Sequence, residues 1–227
     1  MIMSPHYTAA LRYQAAWLDV PLERLQGEGF TRPTPIRDMK IPGYSKPVRV
    51  HALRMEGKQE IYAACAPGLE KKLRLREPTS RFFYFDAPNP AIDISSARPL
   101  QNDDLPAFLR FFKEAYPDTR EYGWIPEYYH EMIAKCRCFG VYEDGLLVTV
   151  ADAPTIPYLP EVIVEPGIMT LSGFRRKGYA AAVCAAFLAE QLRRGLSPIW
   201  TCAMDNGGSA GLARHLGYKP FGVLWRE

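Results

Sequence analysis

The sequence lacks the features that mark membrane-spanning or disulfide-stabilised proteins. No apolar run reaches the roughly 18 residues that a membrane-spanning helix needs, and the opening MIMSPHYTAALRYQ has no apolar core typical of a signal peptide. The five cysteines are odd in number and irregularly spaced, which argues against a disulfide framework. We therefore expect a soluble protein in a reducing cytoplasm.

Strong net charge and internal repeats are absent too. The chain carries 28 Lys and Arg against 25 Asp and Glu, for a net charge of +3, well short of the basic surface that nucleic-acid binding needs. We expect neither a nucleic-acid nor a membrane partner. A length of 227 residues, 48% of them hydrophobic, suits one large domain or a domain with an added half.

The proline-containing segment DAPNPAID, residues 86–93, is the best candidate for a domain boundary. Before it, the pattern predicts a helix over 7–19, an irregular connection over 27–47, a hairpin over 48–66, a short helix over 69–75 and a strand over 81–85. After it, the prediction is a strand over 94–100, helices over 105–116 and 126–136, a hairpin over 138–152, a strand over 162–171, a helix over 179–194, a strand over 197–204, a helix over 205–217 and a strand over 218–225.

These elements predict a mixed α+β fold. We expect one domain over residues 92–227, preceded by a smaller α/β half-domain over residues 1–91. The strand–helix–strand unit from 162 to 204 should place its two strands parallel, with a right-handed crossover.

The stretch SGFRRKGYAAAVC, residues 172–184, puts dense positive charge where a helix begins. Arg175, Arg176 and Lys177 lie there, although cations normally favour the opposite end of a helix. A bound phosphate would explain the placement, because unpaired N–H groups and the helix dipole attract anions, and Gly178 permits close approach of the backbone. The alternative is an ordinary solvated basic turn. Neither the Walker motif nor the dinucleotide fingerprint fits.

The spacing Arg175-x-x-Gly178-x-Ala180 resembles the pyrophosphate loop of the GNAT family, the GCN5-related N-acetyltransferases. The preceding EPGIMTLSGF resembles the family's strand and loop, NGGSAGLARHLGY over 206–218 resembles its Asn-containing helix, and SARPLQNDDLPAF resembles its first strand and helix. The resemblance covers roughly residues 94–225. The strings are closest to small-molecule branches, including the zwittermicin-resistance type.

The resemblance implies the GNAT acyl-CoA N-acyltransferase fold with a mixed, splayed central sheet, and acetyl-CoA as co-substrate without a metal. It implies that a backbone N–H near Ile168 polarises the thioester carbonyl. The residues that it assigns to cofactor binding are Met169, Thr170, Leu171, Arg175, Arg176, Lys177, Gly178, Tyr179, Ala180, Asn206 and Ser209.

A base must deprotonate the acceptor amine, and the resemblance favours Glu165, with Glu161 as the fallback. The usual spacing falls on Val164, so the assignment needs a bulge at Pro166-Gly167. The tyrosine that serves many relatives as general acid is replaced by Ala213. Tyr218, His215 or solvent must then supply that proton.

The aromatic cluster around residue 125 falls where relatives form the acceptor wall. We expect Tyr122, Trp124 and Tyr129 to bind substrate, together with Tyr158 in the loop before residue 162, although such stripes also form ordinary cores. Tyr128 lies in the same cluster. The set Cys136-x-Cys138 with His130 lacks a second Cys/His pair, so we predict no zinc site.

Together these features predict an acyltransferase that transfers an acetyl group from acetyl-CoA to a primary amine of a small molecule. The alternatives are a protein or peptide N-acetyltransferase and a catalytically inactive acyl-CoA-binding regulatory protein. The sequence does not determine the oligomeric state, for which a homodimer is the candidate. The first 91 residues could be a truncated, CoA-less copy of the same fold that covers the acceptor site.

Overall fold

The computed structural model describes residues 4–38 and 47–227. The helices are α1 (Pro5–Leu18), α2 (Leu105–Ala115), α3 (Ile125–Ala134), α4 (Tyr179–Arg193) and α5 (Gly207–Leu216). The strands are β1 (Phe30–Pro33), β2 (Arg37–Asp38), β3 (Pro47–Val48), β4 (Val50–Met55), β5 (Tyr62–Cys65), β6 (Ser80–Phe85), β7 (Ala97–Pro99), β8 (Cys138–Glu143), β9 (Leu146–Asp152), β10 (Ile163–Val164), β11 (Gly167–Thr170), β12 (Ser197–Ala203) and β13 (Tyr218–Arg226).

The strands form three sheets. A seven-stranded sheet has the order β1-β5-β4-β13-β6-β12-β10, a four-stranded sheet has the order β11-β9-β8-β7, and β2 pairs with β3. Strands β1 and β5 are parallel, whereas β13 is antiparallel to both of its neighbours, so the large sheet is mixed as predicted. Strands β10 and β12 are neighbours, and their predicted parallel direction stays a prediction.

The chain divides into two compact units. One comprises residues 1–87, 156–163 and 197–227, and the other residues 88–155 and 164–196. The first break, after Ala87, falls within the predicted boundary segment 86–93. The division otherwise differs from the predicted domains 1–91 and 92–227, because residues 197–227 group with the N-terminal residues.

The first unit is built around β13, which lies between β4 and β6. Leu224 of β13 is opposite Leu53 on one side and Ser80 on the other. The buried cluster around this strand includes Phe221 and Leu224, together with Trp17 of α1. Helix α1 begins at Pro5, where a missing N–H is tolerated, and its apolar residues contribute to that cluster.

The second unit contains an antiparallel sheet and an aromatic core. The turn of its β8–β9 hairpin has positive φ at both Asp144 (50°) and Gly145 (77°), as a type I′ turn requires, so the predicted hairpin is confirmed. Phe108 of α2 packs against Tyr129 of α3, with ring centroids 4.7 Å apart. Before α2, Gln101 and Asp104 form a capping box, whereas the predicted cap residues 102–104 form a short 3₁₀ turn.

Three predictions about secondary structure need correction. Residues 69–75 form turns and no helix, and the predicted irregular segment 27–47 contains strand β1, while its residues 39–46 lie outside the described residues. The strand predicted over 162–171 is interrupted at Glu165 and Pro166, leaving β10 and β11 in different sheets. Proline has no N–H for a strand ladder and restricts the residue before it.

All five cysteines are free thiols. Within the described ranges, no helix combines the length and the apolar character needed to cross a membrane.

Gly222 should be essential for the central position of β13. A Cβ atom at this position would lie 2.3 Å from the carbonyl oxygen of Arg54, so we expect Gly222→Ala to lower the free energy of unfolding by about 1–3 kcal/mol. Gly211→Ala is the control: it lies within α5 with open space around it and should stabilise by about 0.5–1 kcal/mol. Urea denaturation would measure both, and equal stability of the two variants would contradict the expectation.

Candidate functional site

The loop between β11 and α4 has the geometry of an anion site. A 3₁₀ turn, Ser172–Phe174, leads to Arg176 with φ 63° and then to Gly178 with φ 85°. The first backbone hydrogen bond at the start of α4 joins the N–H of Ala182 to the carbonyl of Gly178 at 3.0 Å. The N–H groups of Tyr179, Ala180 and Ala181 precede that bond, so the helix offers them no acceptor.

The three cations of this loop differ in their partners. Lys177 forms an ion pair with Glu143, Nζ to Oε1 2.8 Å, and this contact lowers the pKa of the Glu143 carboxyl. The hydroxyl of Tyr179 donates to the other Glu143 oxygen at 2.7 Å. Arg175 Nε donates to the carbonyl of Thr170 at 3.2 Å. Within residues 4–38 and 47–227, neither Arg175 nor Arg176 forms an ion pair.

Glu143 was not among the residues predicted from the sequence. It lies at the end of β8, 34 residues before Lys177, and no motif connects the two. Because Glu143 already holds Lys177, the uncompensated positive charge of the loop comes from Arg175 and Arg176.

Strand β11 is an edge strand of the four-stranded sheet. Leu171 N–H donates to Val148 across this pair at 3.0 Å, and pairs alternate between hydrogen-bonded and non-hydrogen-bonded along antiparallel strands. Met169 therefore also directs its backbone groups toward β9, whereas those of Ile168 and Thr170 point to the open edge. Of the predicted residues Met169, Thr170 and Leu171, only Thr170 thus offers its backbone to a ligand along this edge.

Asn206 and Ser209 belong to the first compact unit, where Asn206 caps α5 and Ser209 lies in its first turn. The side chain of Asn206 accepts from the N–H of Ser209 at 2.9 Å. The hydroxyl of Ser209 accepts from Nε1 of Trp200 at 3.0 Å. Both therefore have structural roles, and their role in cofactor binding stays a prediction.

The predicted catalytic residues occupy different environments. Glu165 is partly buried between β10 and β11, and Glu161 is exposed. Tyr218 is only 2% exposed and packs against Phe85 and Trp200, with ring centroids 5.3 and 5.5 Å away. Such burial does not support Tyr218 as a proton donor to a bound ligand.

The residues predicted for the acceptor wall differ in burial and in the compact unit to which they belong. Tyr129 is fully buried and donates to the carbonyl of Gln101 at 2.6 Å, so it is a core residue. Tyr122 and Trp124 are partly exposed and donate to nearby backbone carbonyls. Tyr158 belongs to the other compact unit, where it packs against Trp17, 5.1 Å between ring centroids.

Asp152, the last residue of β9, was not among the site residues predicted from the sequence. Its Oδ2 accepts a hydrogen bond from the hydroxyl of Tyr128 at 2.8 Å. It lines a cavity of about 20 Å³, whose other walls are Phe108, Phe111, Phe112, Tyr116, Val150, Ile168 and Met169. Burial raises the pKa of Asp152 to about 6, while the hydrogen bond from Tyr128 opposes the shift.

No group of three or more metal-binding side chains is found among the residues that the structure describes. Cys138 is buried, and desolvation raises the pKa of its thiol.

A family model of GNAT acetyltransferases matches residues 111–222, which include the loop, β11 and Asp152. The chain belongs to the GNAT acetyltransferase family. No curated protein sequence matches it significantly.

Solved structures of GNAT proteins share the fold at low sequence identity. A GNAT-family acetyltransferase from Colwellia psychrerythraea is 17% identical, with a TM-score of 0.58 over 70% of this chain and 59% of that one. A GCN5-related N-acetyltransferase from Sphaerobacter thermophilus is 17% identical, with a TM-score of 0.52 over 66% and 52%. A GNAT-family protein from Novosphingobium aromaticivorans is 20% identical, with a TM-score of 0.50 over 73% and 84%.

The chain thus spans little more than half the length of the first and second of these GNAT proteins. The matches confirm the predicted GNAT fold with its mixed sheet, and the family is one of acyltransferases. The finer resemblance to the zwittermicin-resistance branch stays a prediction.

The raised pKa of Asp152 predicts that the free energy of unfolding of this GNAT fold depends on pH. Because the pKa in the folded state lies above the usual 3.8, the contribution of this group to stability is present below pH 4 and is lost as the pH rises through 6. We expect Asp152→Asn to raise the free energy of unfolding at pH 7.5 by about 1–2 kcal/mol. At pH 3.5 the gain should vanish, and urea denaturation at both pH values would measure it.

Asp144→Asn is the control for that experiment, since this exposed turn residue has a φ of 50° that asparagine also adopts. A gain that was equal at both pH values, or that also appeared in the control, would contradict the expectation.

Proposed function

We propose that the protein transfers an acetyl group from acetyl-CoA to a primary amine of a small molecule. The observation that carries the proposal is the start of α4 at Gly178, where three N–H groups have no acceptor within the helix. Beside them lie Arg175 and Arg176, which form no ion pair with any described residue. A helix N-terminus of this kind favours a negatively charged group.

The loop fits the diphosphate of acetyl-CoA. A Cβ atom on Gly178 would meet nothing within 4 Å, so the space beside the backbone is open to a phosphate oxygen. The N–H groups of Tyr179, Ala180 and Ala181 would bind the diphosphate, and the arginines would screen its charge or reach the ribose phosphate. Lys177 contributes less, because Glu143 neutralises it.

The edge of β11 fits the amide-containing arm of the same molecule. Ile168 offers its backbone N–H and carbonyl there and Thr170 offers its N–H, since the carbonyl of Thr170 already accepts from Arg175. An extended amide chain can add to an open sheet edge as an extra strand. The N–H of Ile168 is the donor that would stabilise the oxygen of the reacting carbonyl. Asn206 and Ser209 remain candidates for further polar contacts.

The chemistry requires a neutral amine and a protonated leaving thiol. The ammonium loses one proton to a carboxylate, the nitrogen then attacks the thioester carbon, a C–N bond forms and the C–S bond breaks. The second proton passes from nitrogen to the thiolate, either directly or through solvent. Glu165, partly buried beside β11, remains the candidate base from the sequence resemblance, with Glu161 as the fallback.

Gly178→Ala should weaken acetyl-CoA binding more than Lys177→Ala does. An alanine at φ 85° costs about 1–2 kcal/mol or forces the loop to rearrange, which corresponds to about 5- to 30-fold in affinity. We expect Lys177→Ala to lower the affinity for acetyl-CoA by less than about 3-fold, since exposed charge pairs contribute little. Isothermal titration calorimetry with acetyl-CoA would measure both.

Gly173→Ala is the matched control, because Gly173 lies in the same loop with open space and no positive φ. Equal loss of affinity in the Gly173 and Gly178 variants would argue against the loop geometry.

Thiol release from acetyl-CoA against a panel of primary amines, peptides and antibiotics tests the function. Turnover with small amines supports the proposal, and turnover with peptides alone would assign a peptide N-acetyltransferase. Binding of acetyl-CoA without any thiol release would favour a regulatory protein, which the absence of the family's tyrosine at Ala213 would explain.

A further inference from the structure

The cavity beside Asp152 places a carboxylate among apolar side chains. Phe108, Phe111 and Phe112 of α2 are at most 5% exposed, and Val150 completes this side. The opposite side is formed by Ile168 and Met169 of the edge strand. A carboxylate in such surroundings is poorly solvated and favours a partner that carries positive charge.

Among the described residues, no cationic side chain pairs with Asp152 in this cavity. The titratable side chains around Asp152 are Tyr128 of α3, Cys138 of β8 and Tyr116 after α2, and in the described part of the chain neither Lys nor Arg lines the cavity. Tyr128 donates to Oδ2, and the backbone N–H of Asp152 itself also donates to the carboxylate. No second side chain among the described residues donates to it, so Oδ1 can accept a further hydrogen bond from a ligand.

Gly167 keeps this second oxygen accessible. Gly167 and Asp152 are register partners in the β11–β9 pair, and a Cβ atom at position 167 would lie 3.0 Å from Oδ1 of Asp152. The next residue along β11 is Ile168, whose N–H points to the open edge. The carboxylate and this N–H therefore lie one residue apart along the same strand pair.

We propose that Asp152 binds the ammonium group of the acceptor and takes up its proton, with Tyr128 as the residue that positions the carboxylate. This inference rests on the proposed acetyl transfer. It replaces Glu165 as the base, because Asp152 has both the apolar enclosure and the hydrogen-bonding partner. In the step, one N–H bond of the ammonium breaks, an O–H bond forms on Asp152, and the free amine keeps the electron pair with which it attacks the thioester.

The size of the cavity restricts the amine. About 20 Å³ holds roughly one group the size of a water molecule, which fits an unsubstituted ammonium better than a bulkier N-methylated one. The rest of the acceptor must lie outside this cavity, since its phenylalanine walls are at most 5% exposed. The acceptor class is therefore a primary amine on a slender methylene group.

The test compares Asp152→Asn, Tyr128→Phe and Glu165→Gln with the Asp144→Asn control. The probe amine is 2-phenylethylamine, and its N-methyl derivative tests the size limit. NMR titration without acetyl-CoA at pH 7.5 measures amine binding, and thiol release between pH 5 and 9 gives the profile of kcat/KM.

We expect Asp152→Asn to weaken binding of 2-phenylethylamine at least about 10-fold and to lower kcat/KM about 100-fold or more. In the unsubstituted protein, kcat/KM should fall as the pH drops below about 6, where Asp152 becomes protonated. The Asp152→Asn variant should lack this acidic limb of the pH profile. Tyr128→Phe should move the limb to higher pH, because its hydroxyl stabilises the charged carboxylate. The N-methyl amine should be at least about 10-fold worse than the primary amine.

Three results would overturn the inference while leaving acetyl transfer intact: turnover by Asp152→Asn equal to that of the control, loss of turnover only in Glu165→Gln, or equal use of both amines. Absence of acetyl-CoA binding and of thiol release with every amine would instead overturn the proposed function. If 2-phenylethylamine still bound in that case, the amine-binding site at Asp152 would be supported without the acetyl transfer.

Discussion

The antiparallel pairing of β13 on both of its sides is the interaction on which the first compact unit depends. Residues 218–226 come from the end of the chain, yet their two neighbours, β4 and β6, both precede residue 87. Neither neighbour can complete its ladder of backbone hydrogen bonds without β13, and unpaired buried backbone groups are costly. The N-terminal strands β4 and β6 therefore share one sheet with the C-terminal strand β13. A separate truncated copy of the fold would have to borrow that strand.

The second unit contains the groups that are suited to binding charged ligands and an extended ligand chain. An open strand edge, an N-terminus of a helix with unpaired N–H groups and a carboxylate among phenylalanines all lie within residues 88–155 and 164–196. Among the described residues, each of these groups keeps at least one hydrogen-bonding position without a partner. Functional sites commonly retain such unsatisfied groups at a cost in stability, as the raised pKa of Asp152 also indicates.

The elements with strong local signals were predictable. The apolar pattern located the five helices found among the described residues, and the turn chemistry of Asp144 and Gly145 located the β8–β9 hairpin. Residues 69–75 were predicted as a helix from their composition, but seven residues give little helix stability without tertiary support. Strand β1 was missed because its parallel partner β5 is about 30 residues away, so no local pattern announces the pairing.

The sequence by itself determined the family and the glycine turn before α4, because such a turn is a short, contiguous arrangement of backbone that Gly178 and its neighbours encode locally. Only the tertiary structure decided which side chains act alone and which have partners. It joined Lys177 to Glu143 and Tyr128 to Asp152, and it buried Tyr129 and Tyr218. The physical reason is that charge compensation and desolvation depend on distances through space, which separations of 24 and 34 residues along the chain do not reveal.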